Sequence, residues 1–153
     1  MPTLPNARAE PDEKEAGCLA ELAVALRTAQ LFAHAAHNVV RGPSFFSDHA
    51  FLGDAYAAYE KAYDDVIERA IGTGESVSLA EVTEAACEAL ERYGTPDGDA
   101  EDIFRNLLVL EGELCSAIDS AMKGASNGTQ DLLQALCSAA EIRRYMLRQR
   151  LAD

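Results

Sequence analysis

Small and apolar residues recur at alternating spacings of three and four along most of the chain, the repeat of one helix face. From about Asp12 to Arg41 the series is Leu19, Leu22, Leu26, Ala29, Ala33, Ala36 and Val40, and Val24, Leu31 and Phe32 widen it beyond one stripe. The pattern predicts a long helix covered on more than one side. Gly42-Pro43 stops it, and Ser44 is placed to cap the next helix. A second series, Phe45, His49, Leu52, Tyr56, Tyr59, Tyr63, Val66 and Ala70, carries that helix to about Ile71, and Gly72-Thr73-Gly74 ends it. Ser78-Leu-Ala-Glu81 is a capping box that opens a shorter helix over about Leu79 to Tyr93. Thr95 to Asp99 reads as a loop. A helix from about Asp99 to Ala125 turns Ile103, Leu107, Leu110, Leu114 and Ala121 inward. Asn127-Gly128 then breaks the chain, and Thr129 caps a last helix carrying Leu133, Leu136, Ala140, Leu147 and Leu151.

Strand-like alternation and internal repeats are absent from this pattern. The reading is all-α: four long helices and one short helix between the second and third, a four-helix bundle. The connection between the first two helices is short, so they are antiparallel neighbours. Residues 1–12, with Pro2, Pro5 and Pro11, read as an extended tail ahead of one domain over residues 13–153. A chain of 153 residues is long enough for a single sizeable core.

Composition narrows the function classes. The formal net charge is −13, from 26 acidic and 13 basic residues. Such a surface repels nucleic-acid phosphates and anionic membranes and attracts cations. The tail is net acidic, so DNA binding is not expected. Arg143, Arg144, Arg148 and Arg150 crowd the end of the last helix, where cations suit the helix dipole without any nucleic-acid role. No apolar run reaches the roughly 18 residues a membrane span needs, and the polar N-terminus does not resemble a signal peptide, so a cytoplasmic protein is expected. Cys18, Cys87, Cys115 and Cys137 are widely spaced among apolar residues and read as small buried hydrophobes. Tyr56, Tyr59 and Tyr63 fall at core spacing. Asp65 and Arg69 are placed for an i,i+4 pair.

The chemistry concentrates in one stretch. The three histidines, His34, His37 and His49, lie within sixteen residues. A two-metal carboxylate site inside a four-helix bundle uses Glu-x-x-His from each of two helices, a motif this chain lacks. His37 lies near the end of the first helix and His49 near the start of the second, so both occupy one end of the bundle. Asp64 and Glu68 share a face of the second helix, but lie roughly 22–28 Å beyond His49 at the helical rise. They meet the histidines only if two copies pack with their second helices antiparallel about a two-fold axis. Two mixed nitrogen–oxygen sites per dimer result, a donor set suited to iron.

The stretch His37-Asn-Val-Val-Arg-Gly-Pro-Ser-Phe-Phe-Ser-Asp-His49, followed by Asp64-Asp-Val-Ile-Glu68-Arg69, resembles the signature of the Dps family, the mini-ferritins. Thr129-Gln-Asp131-Leu-Leu resembles the start of that family's last helix. The resemblance implies a ferritin-like four-helix bundle, a homo-oligomeric shell of dodecamer type, and inter-subunit ferroxidase sites. There iron(II) is oxidised by peroxide or dioxygen and stored as iron(III), limiting oxidative damage. His37 and His49 would be ligands from one subunit, and Asp64 and Glu68 from its neighbour; Asp131 would line a three-fold pore. Two departures matter. The acid usually found four residues after the second histidine is Gly53, and the tryptophan after the first is Asn38. His34, Asp54 and Glu60 are the candidates to supply the missing donor. The alternative is a catalytically weakened shell or helical binding scaffold.

Overall fold

A computed structural model describes the backbone of residues 13–152 and the side chains of residues 19–152; the proposed tail lies outside them. Five helices follow one another: α1 Glu13–Val39, α2 Phe45–Gly72, α3 Leu79–Leu90, α4 Ala100–Met122 and α5 Asn127–Arg150. α1 packs against α2, α3 and α4, and α4 packs against α5. Contacts between α1 and α2 run in opposite senses along the chain: His37 meets His49, His34 meets Tyr56, and Arg27 lies over the Tyr63 ring. The two helices are therefore antiparallel. Between α2 and α4 the numbers rise together, Phe51 with Phe104 and Tyr59 with Glu111, so those two are parallel. The segment holding α3 is the long crossover that this requires.

The inward series forms the core. Leu19, Leu22, Leu26, Leu52, Tyr59, Val66, Ile103, Leu107, Leu114 and Leu133 are all buried. The serine half of the capping box forms: the Ser78 side chain accepts the Glu81 backbone N–H. Of the expected caps of two long helices, Ser44 does stand at the N-cap of α2 and Thr129 does not at that of α5. The Ser44 side chain makes no cap bond to α2; its carbonyl instead accepts the Ser47 hydroxyl and the Asp48 N–H. At α5 the cap is Ser126, whose oxygen accepts the Thr129 N–H. Asn127 and Gly128 belong to the first turn of that helix rather than to a break, and the backbone turns at Gly124, with φ +77°. Asp65 pairs with Lys61 at 2.8 Å, not with Arg69.

The cysteines also depart from expectation. Cys87 is exposed, and Cys115 and Cys137 are only partly buried; the side chain of Cys18 lies outside the described residues. The interior instead contains charge. Glu111 is fully buried and accepts hydrogen bonds from the Tyr59 hydroxyl and Arg143 Nε. Asp48, 3% exposed, is held by Arg150 through two bonds of 2.9 Å. Arg143 and Arg150 of the C-terminal cluster thus complete buried carboxylates, and Arg150, in the last turn, suits the helix dipole as well. Burial and then the Glu111 charge hold the Tyr59 phenol well above its usual range. Burial opposes the charge on Arg143, but Tyr59 and Glu111 outweigh it and raise its pKa.

Candidate metal centre

The α1–α2 corner is fixed from outside by the end of the crossover. The Arg41 N–H donates to the Gly98 carbonyl at 3.1 Å, and the Arg41 guanidinium donates to the Asp97 carbonyl. Gly98 has φ +98°, and a Cβ there would lie 2.5 Å from the Val39 carbonyl oxygen. Only glycine permits both that conformation and that approach. α1 is therefore held at a fixed register against the start of α2, which sets the two histidines side by side.

His37 and His49 are partly buried, with ring centroids 3.8 Å apart and planes at 23°. Each Nδ1 lies 2.9 Å from the other residue's backbone carbonyl oxygen. A carbonyl accepts but does not donate, so both Nδ1 atoms carry the proton. In the neutral ring this tautomer leaves the lone pair on Nε2, the form in which imidazole binds a metal. Phe45 stacks on the far side of His49, 5.1 Å away. Tyr56 meets His37 edge-on at 5.3 Å and stacks with exposed His34 at 4.3 Å. Tyr56 is thus part of the histidine cluster, whereas Tyr59 and Tyr63 are buried in the core.

Gly53 makes this packing possible. A Cβ on it would stand 3.2 Å from His37 Cε1 and 3.4 Å from Nδ1. A side chain at position 53 would press on the His37 ring, which would have to give by a few tenths of an ångström.

The oxygen donors lie elsewhere. Asp64 and Glu68 are exposed on one face of α2, far down the helix from the rings, and nearby Lys61 is engaged with Asp65. Glu60 is also exposed, eleven residues and roughly 16 Å beyond His49. Asp54 lines the groove between α2 and α5 with Ala58, Ala139 and Ile142. Among the described residues of one chain, no three histidines, cysteines or acids come together as a metal site. The fold pairs His37 with His49, sets His34 against Tyr56 beside them, and leaves Glu60, Asp64 and Glu68 further along α2.

Apolar residues flank both halves. Phe46, one turn before His49, is 87% exposed, and Ile71, one turn after Glu68, is 56% exposed. Between them Ala50 and Ala57 present short exposed side chains. Sequence reading missed Glu111 and Asp48 as internal anchors, although each is an acid inside an apolar helical series, a visible signal. No helix of the described residues is long and apolar enough to cross a membrane.

Comparison with known proteins agrees with this architecture. The ferritin-like domain family matches residues 19–153. The DNA protection during starvation protein of Listeria monocytogenes is 30% identical over 120 residues, covering 75% of this chain and 77% of that protein. DNA protection during starvation protein 2 of Bacillus anthracis is 29% identical over 118 residues, 75% and 81% of the two chains. Among solved structures, Dps of Mycobacterium smegmatis in its tetragonal form superposes with a TM-score of 0.82 at 16% identity, over 100% of this chain and 94% of that one. Dps of Microbacterium arborescens in its high iron form gives 0.73 at 19% identity, over 93% and 97%. With five helices in this order, the short one inside the crossover, and these relatives, the chain belongs to the Dps family of the ferritin-like superfamily.

Proposed function

We propose that this protein is an iron-oxidising and iron-storing shell whose reaction site forms between two copies. The observation that carries the reading is the paired histidine lock: two imidazoles held by their Nδ1 atoms, with both Nε2 lone pairs free, at a surface where Phe46 is almost wholly exposed. Two α2 helices packed antiparallel set Phe46 of one against Ile71 of the other, and the exposed alanines between allow close approach. Asp64 and Glu68 of the second copy then face His37 and His49. Iron(II), the substrate, binds in this mixed nitrogen–oxygen cradle; two ions give one electron each to a peroxide, which takes up two protons and leaves as water, or to dioxygen, which leaves as peroxide, and both move inward as iron(III). Dimers of this kind build a hollow dodecamer in the cytoplasm, which limits oxidative damage by sequestering the metal. The protein does not retain DNA, because its net charge of −13 opposes phosphate and the first 17 residues carry more acid than base; a mobility shift at low salt checks this, and a retarded band removes it.

A weaker catalyst is the second reading, favoured by glycine at position 53. Stopped-flow oxidation of iron(II) separates the two. The wild type is expected to oxidise iron at least ~10-fold faster than a His37→Ala/Glu68→Ala double variant, the range lost with a metal ligand or its support. Equal slow rates leave only the shell.

A further inference from the structure

α4 and α5 pack against each other and are joined only by the turn over residues 123–126, so they form an antiparallel hairpin. Each brings one sulfur to their seam. Cys115 on α4 and Cys137 on α5 are free thiols, partly buried and packed against the core. Arg144 shows that their faces meet. It lies seven residues after Cys137, about two turns on, and so shares its face of α5. Helical side chains lean toward the N-terminus of their own helix, here back toward Cys137. Leaning that way, Arg144 reaches α4, where its Nη1 donates to the Cys115 sulfur at 3.8 Å. The two thiols also sense each other. Burial, then Glu141, then Cys115, then Asp119 raise the Cys137 thiol above its usual range.

The surroundings of the two sulfurs differ. Cys115 faces a guanidinium whose Nε is buried without a hydrogen-bond partner. Cys137 donates to the Glu141 carboxylate at 3.8 Å. Among the described residues no three such donors converge on a metal ion, and Arg144 sets positive charge against Cys115. The cluster therefore suits thiol chemistry and not cation binding. Asp119 and Glu141 beside it are exposed, so a molecule as small as hydrogen peroxide reaches the sulfurs from water.

We propose that Cys115 and Cys137 are a peroxide-reactive dithiol that closes to a disulfide between α4 and α5. It works independently of the inter-subunit cradle. Cys115, as the thiolate, attacks one oxygen of hydrogen peroxide. The O–O bond breaks, that oxygen stays on sulfur as a sulfenic acid, and the other takes up a proton and leaves as water. Arg144 supplies the positive charge and the N–H groups that the attacking sulfur and the departing oxygen call for. Rotation of the Cys137 side chain then carries its sulfur off Glu141 and onto Cys115. The S–S bond forms, and the sulfenic oxygen leaves with the Cys137 proton and its own as a second water. Two thiols give up two electrons, and one peroxide becomes two waters.

Iron-free protein, reduced and then cleared of reductant, is treated with a stoichiometric amount of hydrogen peroxide, digested without reduction and mapped by mass spectrometry. The expected product is a peptide linking Cys115 to Cys137, two hydrogens lighter than the separate thiols and reopened by dithiothreitol. Free thiol should fall by half, since the chain has four cysteines. On a non-reducing gel the oxidised chain should keep the mobility of a single subunit. In Cys137→Ser, dimedone should label Cys115 as its sulfenic acid; in Cys115→Ser, Cys137 should stay unlabelled. Arg144→Gln should slow loss of thiol several-fold. Absence of the linked peptide, a bridge through Cys18 or Cys87, or a bridge between two chains overturns the proposal. Dimedone on Cys137 in place of Cys115 overturns the order of attack, and an unchanged rate in Arg144→Gln overturns the part given to the arginine. Should the variants fail to fold, the wild-type peptide map decides alone.

Discussion

Two polar clusters in this molecule differ in where their partners come from. The Tyr59–Glu111–Arg143 cluster joins α2, α4 and α5 and is complete within one chain: the carboxylate is buried, and both neighbours donate to it. The His37–His49 pair joins α1 and α2 and is complete only on its Nδ1 side. Burial explains the difference. A charge withdrawn from water needs its partners in the same fold, or the fold does not form. A half-exposed imidazole keeps water as a temporary partner, so its second valence can wait for a metal and another chain. The interior cluster should therefore govern stability, and the histidine end should govern association and metal capture.

The strongest way to break that division is Glu111→Ala. It leaves the Arg143 guanidinium and the Tyr59 hydroxyl without an acceptor, and should cost about 3–5 kcal/mol in urea-induced unfolding. A loss below about 1 kcal/mol would show that solvent reaches the cluster and that the contrast is false. Phe46→Asp attacks the other side. It removes an apolar side chain from the proposed dimer surface and adds a charge like those of Asp64 and Glu68. Subunit association should weaken by about 1.5–3 kcal/mol, tenfold or more in dissociation constant, as read by sedimentation. Monomer stability should be unchanged, since the side chain is 87% exposed. Unaltered assembly would place the interface elsewhere.

Arg150→Ala tests an intermediate case, since Asp48 is buried but Arg150 is partly exposed. The expected loss is about 1–2 kcal/mol, less than at Glu111 because water enters where the arginine was. Tyr59→Phe should have the smallest effect at neutral pH, about 1 kcal/mol, and a diagnostic one in alkali. The Tyr59 phenol is held above its usual value by burial and then by Glu111. An unfolded tyrosine loses its proton near about pH 10, while the folded one keeps it. This contribution is thus fully present below about pH 10 and declines as pH rises toward the folded value. Thermal unfolding across that range should show a steep alkaline loss in the wild type and a shallower one in Tyr59→Phe. Tyr93, pushed up to about 12 by burial and then by its bond to Glu113, supplies part of the remaining slope.

The helical series fixed most of the fold in advance because their repeat records which face must leave water. Ile103, Leu107, Leu110, Leu114 and Ala121 were read as one inward face and are all buried. Ser44 stands at the N-cap of α2, but its side chain makes no cap bond there; the α5 cap falls on Ser126 and not Thr129, because two hydroxyl residues stand near that start and backbone angles choose between them. Cys87 was read as buried and is exposed, because residue type says less about burial than position on an amphipathic helix does. The short α1–α2 connection already implies that His37 and His49 meet, as they do, and the helical rise already sets Asp64 and Glu68 far along α2 from His49.

The sequence by itself determined the number, order and inward faces of the helices, because each follows from local periodicity and residue chemistry. Only the tertiary structure decided that two imidazoles hold each other by their Nδ1 atoms, that Gly53 is the floor under His37, and that Glu111 and Asp48 sit inside with arginines from the far end of the chain. Those are contacts between distant segments, and helix packing selects them in three dimensions without leaving a repeat in the sequence.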